Sequence, residues 1–133
     1  MNYRCGTIIM RKGIKFKDGG YDTRKFGHPT ITTYDLGFDD EYAYFLTATS
    51  SVELYPSKEE EYYLASASPS GLKKPSLINL KFIYKVPHSF QREAGCLTPS
   101  QFVDMIKKFV DYQLKVPDEY FSEIYPRIVG YLN

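Results

Sequence analysis

The order of hydrophobic patterns is the tightest constraint on this chain: every short β-forming run comes before residue 90, and the first helical periodicity begins at residue 98. The runs are Gly6-Thr7-Ile8-Ile9-Met10, then residues 29–34, 42–49 and 62–65, then Ser76-Leu77-Ile78-Asn79-Leu80 and Phe82-Ile83-Tyr84-Lys85-Val86. Each is rich in β-branched or aromatic residues, as half-buried strands are. The last two read as one bent strand or two, so five or six strands are expected. Thr98-Pro99-Ser100-Gln101 then forms a capping box with proline at the first helical position. Phe102, Met105, Ile106, Phe109 and Val110 follow at the spacing of one buried helical face. A second short helix is expected over residues 118–124, ended by Pro126. Strands first and helices last predict a mainly β fold with C-terminal helices: a partly open barrel with an amphipathic helix packed on it.

At 133 residues the chain fits one domain, with residues 115–133 as an additional C-terminal helical segment. Its apolar fraction of 43% is enough for a core that needs neither disulfide nor metal. No apolar run reaches the length of a membrane span, and residues 1–5 lack the apolar centre of a signal peptide. With only Cys5 and Cys96, far apart, the expectation is reduced thiols in a cytoplasmic protein with no membrane partner. Thirteen Tyr and nine Phe stand against no Trp. Most of these rings belong in strands and core, and exposed ones can stack bases.

Several chemistries find no support. His28 and His88 have no partner at a metal-ligand spacing, so no metal and no cofactor is expected. Asp18-Gly19-Gly20 reads as a turn rather than a phosphate loop, and no nucleophile elbow occurs. What remains is a histidine at a strand start, a hydroxyl cluster at a strand end (Thr47, Thr49, Ser50) and a long basic loop over residues 11–27. Loops of that length in compact domains are usually functional. RNA carries its own nucleophile, the 2′-hydroxyl, so cleavage needs proton transfer and charge stabilisation. Imidazole suits the first near neutral pH, while hydroxyls and cations suit the second. The net charge of +1 hides basic blocks at 11–25 and 73–92 around an acidic block at 35–61. The two basic blocks are expected to form one rim around the site.

In order and spacing these pieces resemble the PemK/MazF-like toxin family, ribonucleases of toxin–antitoxin systems built on an SH3-like barrel. The resemblance rests on Gly6 opening a strand, the 11–27 loop, His28-Pro29 entering a strand and Thr49-Ser50 closing one. It continues through Ser76-Leu77-Ile78-Asn79-Leu80 and Gly95-Cys96-Leu97 before the helix. It implies metal-independent cleavage of single-stranded RNA, a cognate antitoxin (protein or RNA) and a homodimer. It carries a catalytic role to Thr49, with Ser50 as neighbour, and to His28 by position, with Arg24 or Lys25 supplying fixed charge. Beside the resemblance, the basic blocks and the long loop make Lys25, Tyr21, Lys73 and Lys74 the substrate-binding candidates. The chain departs from the family pattern in two places. His28 stands where members usually carry arginine, and Lys81-Phe82 replaces an Asp-Gln pair. The competing readings are a catalytically silent SH3-like interaction module and a gyrase-poisoning toxin on the same barrel. Toxins of the latter kind usually end in a Trp-containing tail, which this chain lacks. The apolar stretch 116–132 must cover either the chain's own barrel or a second subunit.

Overall fold

This structure, a computed structural model, describes residues 6–20, 27–34, 41–50, 59–67, 72–88 and 93–132. Seven strands are described: β1 (Thr7–Arg11), β2 (His28–Tyr34), β3 (Tyr42–Thr49), β4 (Tyr62–Ala65), β5 (Ser76–Asn79), β6 (Tyr84–Pro87) and β7 (Glu93–Cys96). They form one antiparallel sheet in the order β4-β5-β3-β2-β1-β7, with β6 also paired to β3. The sheet curls into a partly open barrel, and two helices pack on it, α1 (Pro99–Lys115) and α2 (Phe121–Ile128).

β3 is the spine. Along one edge it pairs with β2; along the other, its first half takes β6 and its last two residues take β5. The bent segment of the sequence is thus two strands sharing one edge of β3. β3 is buried on both faces because something covers each face. On one side Ile8, Ile31, Leu46 and Ala48 join Met105, Ile106, Phe109, Ile124 and Ile128 in the main core. On the other, a smaller cluster of Ile14, Phe45 and Tyr84 is supplemented by Phe16, Phe82 and Val86. The segment 12–20, part of the long basic loop, therefore straps the second face.

The expected capping box is present. Thr98 accepts from the Gln101 amide at 3.1 Å, and Gln101 accepts from the Thr98 amide at 3.0 Å. This arrangement satisfies two donors that a helix start otherwise leaves open. Phe102 lies against Gly6, where an added Cβ would come 3.1 Å from the ring, so the glycine lets the helix close onto the sheet. At the far end, buried Gln113 donates to the carbonyls of Leu80 (2.7 Å) and Lys81 (3.1 Å) and accepts from the Asp118 amide (2.7 Å). One side chain thereby joins α1, the β5–β6 turn and the start of the C-terminal segment.

Three expectations need correction. The strands number seven among the described residues, not five or six, because Glu93–Cys96 pairs with the outer edge of β1. Pro126 does not end the second helix: α2 runs from Phe121 to Ile128 with the proline inside. A helical proline costs about 3 kcal/mol. Three buried apolar residues, Phe121, Ile124 and Ile128, hold this short helix to the core, each contributing about 1.5–3 kcal/mol. Third, a basic and the acidic block of the sequence meet at one ion pair, Lys81 with Glu61 (3.3 Å). Other lysines of the basic blocks pair with the C-terminal segment, Lys17 with Asp118 (3.0 Å) and Glu119 (3.3 Å) and Lys85 with Glu123 (2.7 Å). The apolar C-terminal segment covers its own barrel, since Phe121, Ile124 and Ile128 belong to the main core.

Candidate functional site

Strand parity decides which side chains share the strapped face. β1 and β2 pair Arg11 with His28 and Ile9 with Thr30. β2 and β3 pair Thr30 with Thr47 and Thr32 with Phe45. Because alternate residues face the same way, Arg11, His28, Thr30, Thr32, Thr47, Phe45 and Thr49 leave the sheet together. The β2–β3 pairing itself runs to Thr30–Thr47, with His28 at the start of β2 and Thr49 at the neighbouring end of β3. The expected histidine and hydroxyl therefore sit on one face at one end of the sheet, with the cation of Arg11 in the neighbouring strand.

This face is buried and mixed in chemistry, polar residues alternating with Ile9 and Phe45. Thr30 and Thr32 are fully buried, Arg11 is 8% exposed and His28 9%. Thr30 satisfies its hydroxyl by donating to the Ile9 carbonyl at 2.7 Å. The hydroxyls of Thr7 and Thr32 have no hydrogen-bond partner, an uncommon state for buried polar groups. The Arg11 guanidinium lies 4.7 Å from the centroid of the Phe45 ring, and that ring stacks on Tyr84 at 5.3 Å and 9°. Phe16 of the strap meets the His28 ring edge-on at 5.2 Å.

Glycine sets the geometry where His28 enters the sheet. Gly27 has φ of 87°, and a Cβ there would lie 2.8 Å from the Arg11 carbonyl oxygen. Only glycine lets the backbone approach Arg11 this closely in a left-handed conformation.

The strap is fastened from the helix side. The Lys17 amide donates to the Tyr84 hydroxyl at 3.0 Å, and the Lys17 ammonium, besides its ion pairs, lies 4.4 Å from the centroid of the Tyr120 ring. Burial pushes the Tyr84 phenol above its ordinary value. On α2, the hydrogen bond from Lys85 holds the Glu123 carboxyl below its ordinary value. The Lys85 ammonium faces the rings of Tyr42 and Tyr120 on that side.

Lys73 and Lys74 are exposed and precede β5, whose Leu77 pairs with Thr49. They lie beyond the Thr49 end of β3, where Ser50 is also exposed. Tyr21, Arg24 and Lys25 fall outside the described residues. Arg11 is the residue that sequence reasoning left in a loop. Its signal was the alternation Thr7, Ile9, Arg11, which continues the strand one residue past Met10. The threonine alternation of β2 pointed to the same face. No described helix is long and apolar enough to cross a membrane. Comparison with protein-family models and with curated proteins gives no match to this chain.

Proposed function

We propose that this protein is a metal-independent endoribonuclease of the PemK/MazF-like toxin type, acting on single-stranded RNA from the strapped face of its sheet. The observation that supports the reading best is the row formed by Arg11, His28 and Thr49. It groups a cation, an imidazole and a hydroxyl at one end of three adjacent strands. Where family members usually carry arginine this chain has His28, and the neighbouring strand brings Arg11 into register with it.

In the proposed reaction His28 takes the proton of the 2′-hydroxyl, and the 2′ oxygen attacks the adjacent phosphorus. The bond from phosphorus to the 5′ oxygen breaks, and the departing oxygen takes a proton from water. The products are a 2′,3′-cyclic phosphate and a 5′-hydroxyl. Thr49 and Ser50 donate to the phosphate oxygens, and Arg11 offsets the charge that builds on them. Lys73 and Lys74, with Tyr21, Arg24 and Lys25, serve RNA binding or charge neutralisation. A cognate antitoxin and a second copy of the chain are the proposed partners, and the cytoplasm the proposed location. The C-terminal segment covers its own barrel, so a dimer would need a surface other than the buried face of α2.

The test is cleavage of a single-stranded RNA in excess EDTA, with the product ends identified. The wild type should yield cyclic phosphate ends, His28→Ala should abolish cleavage, and Thr49→Ala should reduce it by about 10²-fold. Equal cleavage by wild type and both variants, or an intact RNA with the wild type, would overturn the reading and favour a non-catalytic interaction module.

A further inference from the structure

His28 is covered in this structure. It is 9% exposed, and the Phe16 ring of the strap meets its imidazole edge-on at 5.2 Å. A bulky ligand therefore meets the strap before it meets the imidazole, and access to this part of the face requires the strap to move.

The end of the strap is built to move as a unit. It is a closed turn: the Phe16 amide donates to the Gly20 carbonyl at 2.9 Å, and the Gly19 amide to the Phe16 carbonyl at 3.0 Å. Along the strap Ile14 is buried and Phe16 half-buried, while residues 12, 13, 15 and 17–20 are exposed. A segment with so little apolar burial opens at a lower free energy than the core does.

What fastens it comes largely from the far end of the chain. Beside the bond from the Lys17 amide to the Tyr84 hydroxyl, the Lys17 ammonium donates to both Asp118 oxygens, at 3.2 and 3.0 Å, and to Glu119 at 3.3 Å. The receiving carboxylate is held independently of the lysine. The Asp118 amide donates to Gln113 at 2.7 Å, and Asp118 Oδ1 accepts from the Tyr120 amide at 3.0 Å. The Asp118 side chain is only 5% exposed, and a nearly buried carboxylate is costly to leave without its cation. The ion pair of Lys85 with Glu123 joins α2 to β6 and does not involve the strap.

We infer that the C-terminal segment latches the strap: Lys17, bound to Asp118 and Glu119, holds Phe16 across His28, and its release uncovers the imidazole. A ligand that binds the uncovered face draws the strap open by its preference for that state. The latch is a property of the fold and does not rest on the nuclease reading.

Reactivity of His28 toward diethyl pyrocarbonate, read by peptide mass spectrometry, and hydrogen exchange of backbone amides test the latch on the intact chain. Asp118→Asn keeps an oxygen for the Tyr120 amide and leaves the strap's own sequence unaltered. Lys17→Met keeps an apolar stem beside Tyr120 and removes the charge. Both should raise His28 reactivity by about tenfold, and Asp118→Asn should speed exchange of the Lys17 amide by a similar factor. Glu123→Gln, which breaks the other ion pair, should leave His28 as reactive as in the wild type. In every variant the amides of Ile31 and Leu46 should exchange at least about a hundredfold more slowly than that of Lys17. Unchanged His28 reactivity in Asp118→Asn or Lys17→Met would overturn the proposal, as would an equal rise in Glu123→Gln. Equal exchange at Lys17, Ile31 and Leu46 would overturn it too, because strap and core would then open only together. A wild type that leaves RNA intact while Lys17→Met uncovers His28 would sink the nuclease reading and keep the latch. RNA cleavage with His28 reactivity unmoved by either substitution would do the reverse.

Discussion

The two faces of the sheet are made from the same three strands, and both are buried, yet they differ in chemistry. Toward the helices β1, β2 and β3 present Ile8, Ile31, Leu46 and Ala48; toward the strap they present Arg11, His28, Thr30, Thr32 and Thr47 interspersed with Ile9 and Phe45. Hydrocarbon on the first face is what burial selects, since each apolar side chain removed from water stabilises the fold. Hydroxyls and charges on the second gain little from burial and cost free energy wherever they are not bonded. A domain that needed only to fold would put isoleucine or valine at such positions. The contrast separates a face that supplies stability from one whose residues need another reason.

The largest expected effect is on the helix face. Ile31→Ala should lower stability by about 2–5 kcal/mol, read from denaturant unfolding, because Ile31 is fully buried in the main core. A loss no greater than that from a threonine substitution on the other face would break the comparison. Next comes Gly27→Ala at the start of β2. A Cβ 2.8 Å from the Arg11 carbonyl and a left-handed φ should cost more than about 1 kcal/mol and displace His28. Equal stability and equal activity in that variant would show that the approach of β2 to Arg11 is not constrained.

The threonines sharpen the contrast further. Thr30→Val removes a 2.7 Å hydrogen bond and leaves the Ile9 carbonyl without that donor, costing about 1 kcal/mol. Thr32→Val removes a buried hydroxyl with no partner and should be neutral or stabilising by about 1 kcal/mol. If Thr32→Val gains stability and loses activity, the hydroxyl is kept for function. If it loses stability, the hydroxyl has a structural role.

The smallest effect concerns pH on the helix side. The Glu123 carboxyl titrates below its ordinary 4.5 in the folded chain because of its hydrogen bond with Lys85. The stability it adds is present above the unfolded value and is lost as pH falls through the folded one. Melting temperatures of wild type and Glu123→Gln should therefore differ at neutral pH and converge under acid. The pair is exposed, so the difference should be small.

How much of this was legible in the sequence follows from where the information sits. α1 was readable because its cap and its apolar spacing are local, and the structure starts it at Pro99 behind the same capping box. β3 was readable at both ends because aromatic Tyr42, Tyr44 and Phe45 run on into Leu46 and the threonines Thr47 and Thr49 with no breaker between. β7 was not, since Glu-Ala-Gly-Cys has no β-forming pattern and becomes a strand only because β1 offers an open edge. α2 passes through Pro126 because the core holds it, which is tertiary information. The His28–Thr49 row could be anticipated from strand order, given antiparallel pairing. The strap could not, because its fold over Phe45 and Tyr84 depends on contacts distant in sequence.

The most direct test of the division between faces is a titration of the isotopically labelled protein with a single-stranded oligonucleotide blocked at its 2′ positions, followed by amide chemical shifts. The account predicts the largest changes on the strapped face, at Arg11, Gly13, Lys15, His28, Thr47 and Thr49, with Met105, Ile106 and Ile124 unmoved. Changes centred on the helices, or none at saturating oligonucleotide, would contradict it.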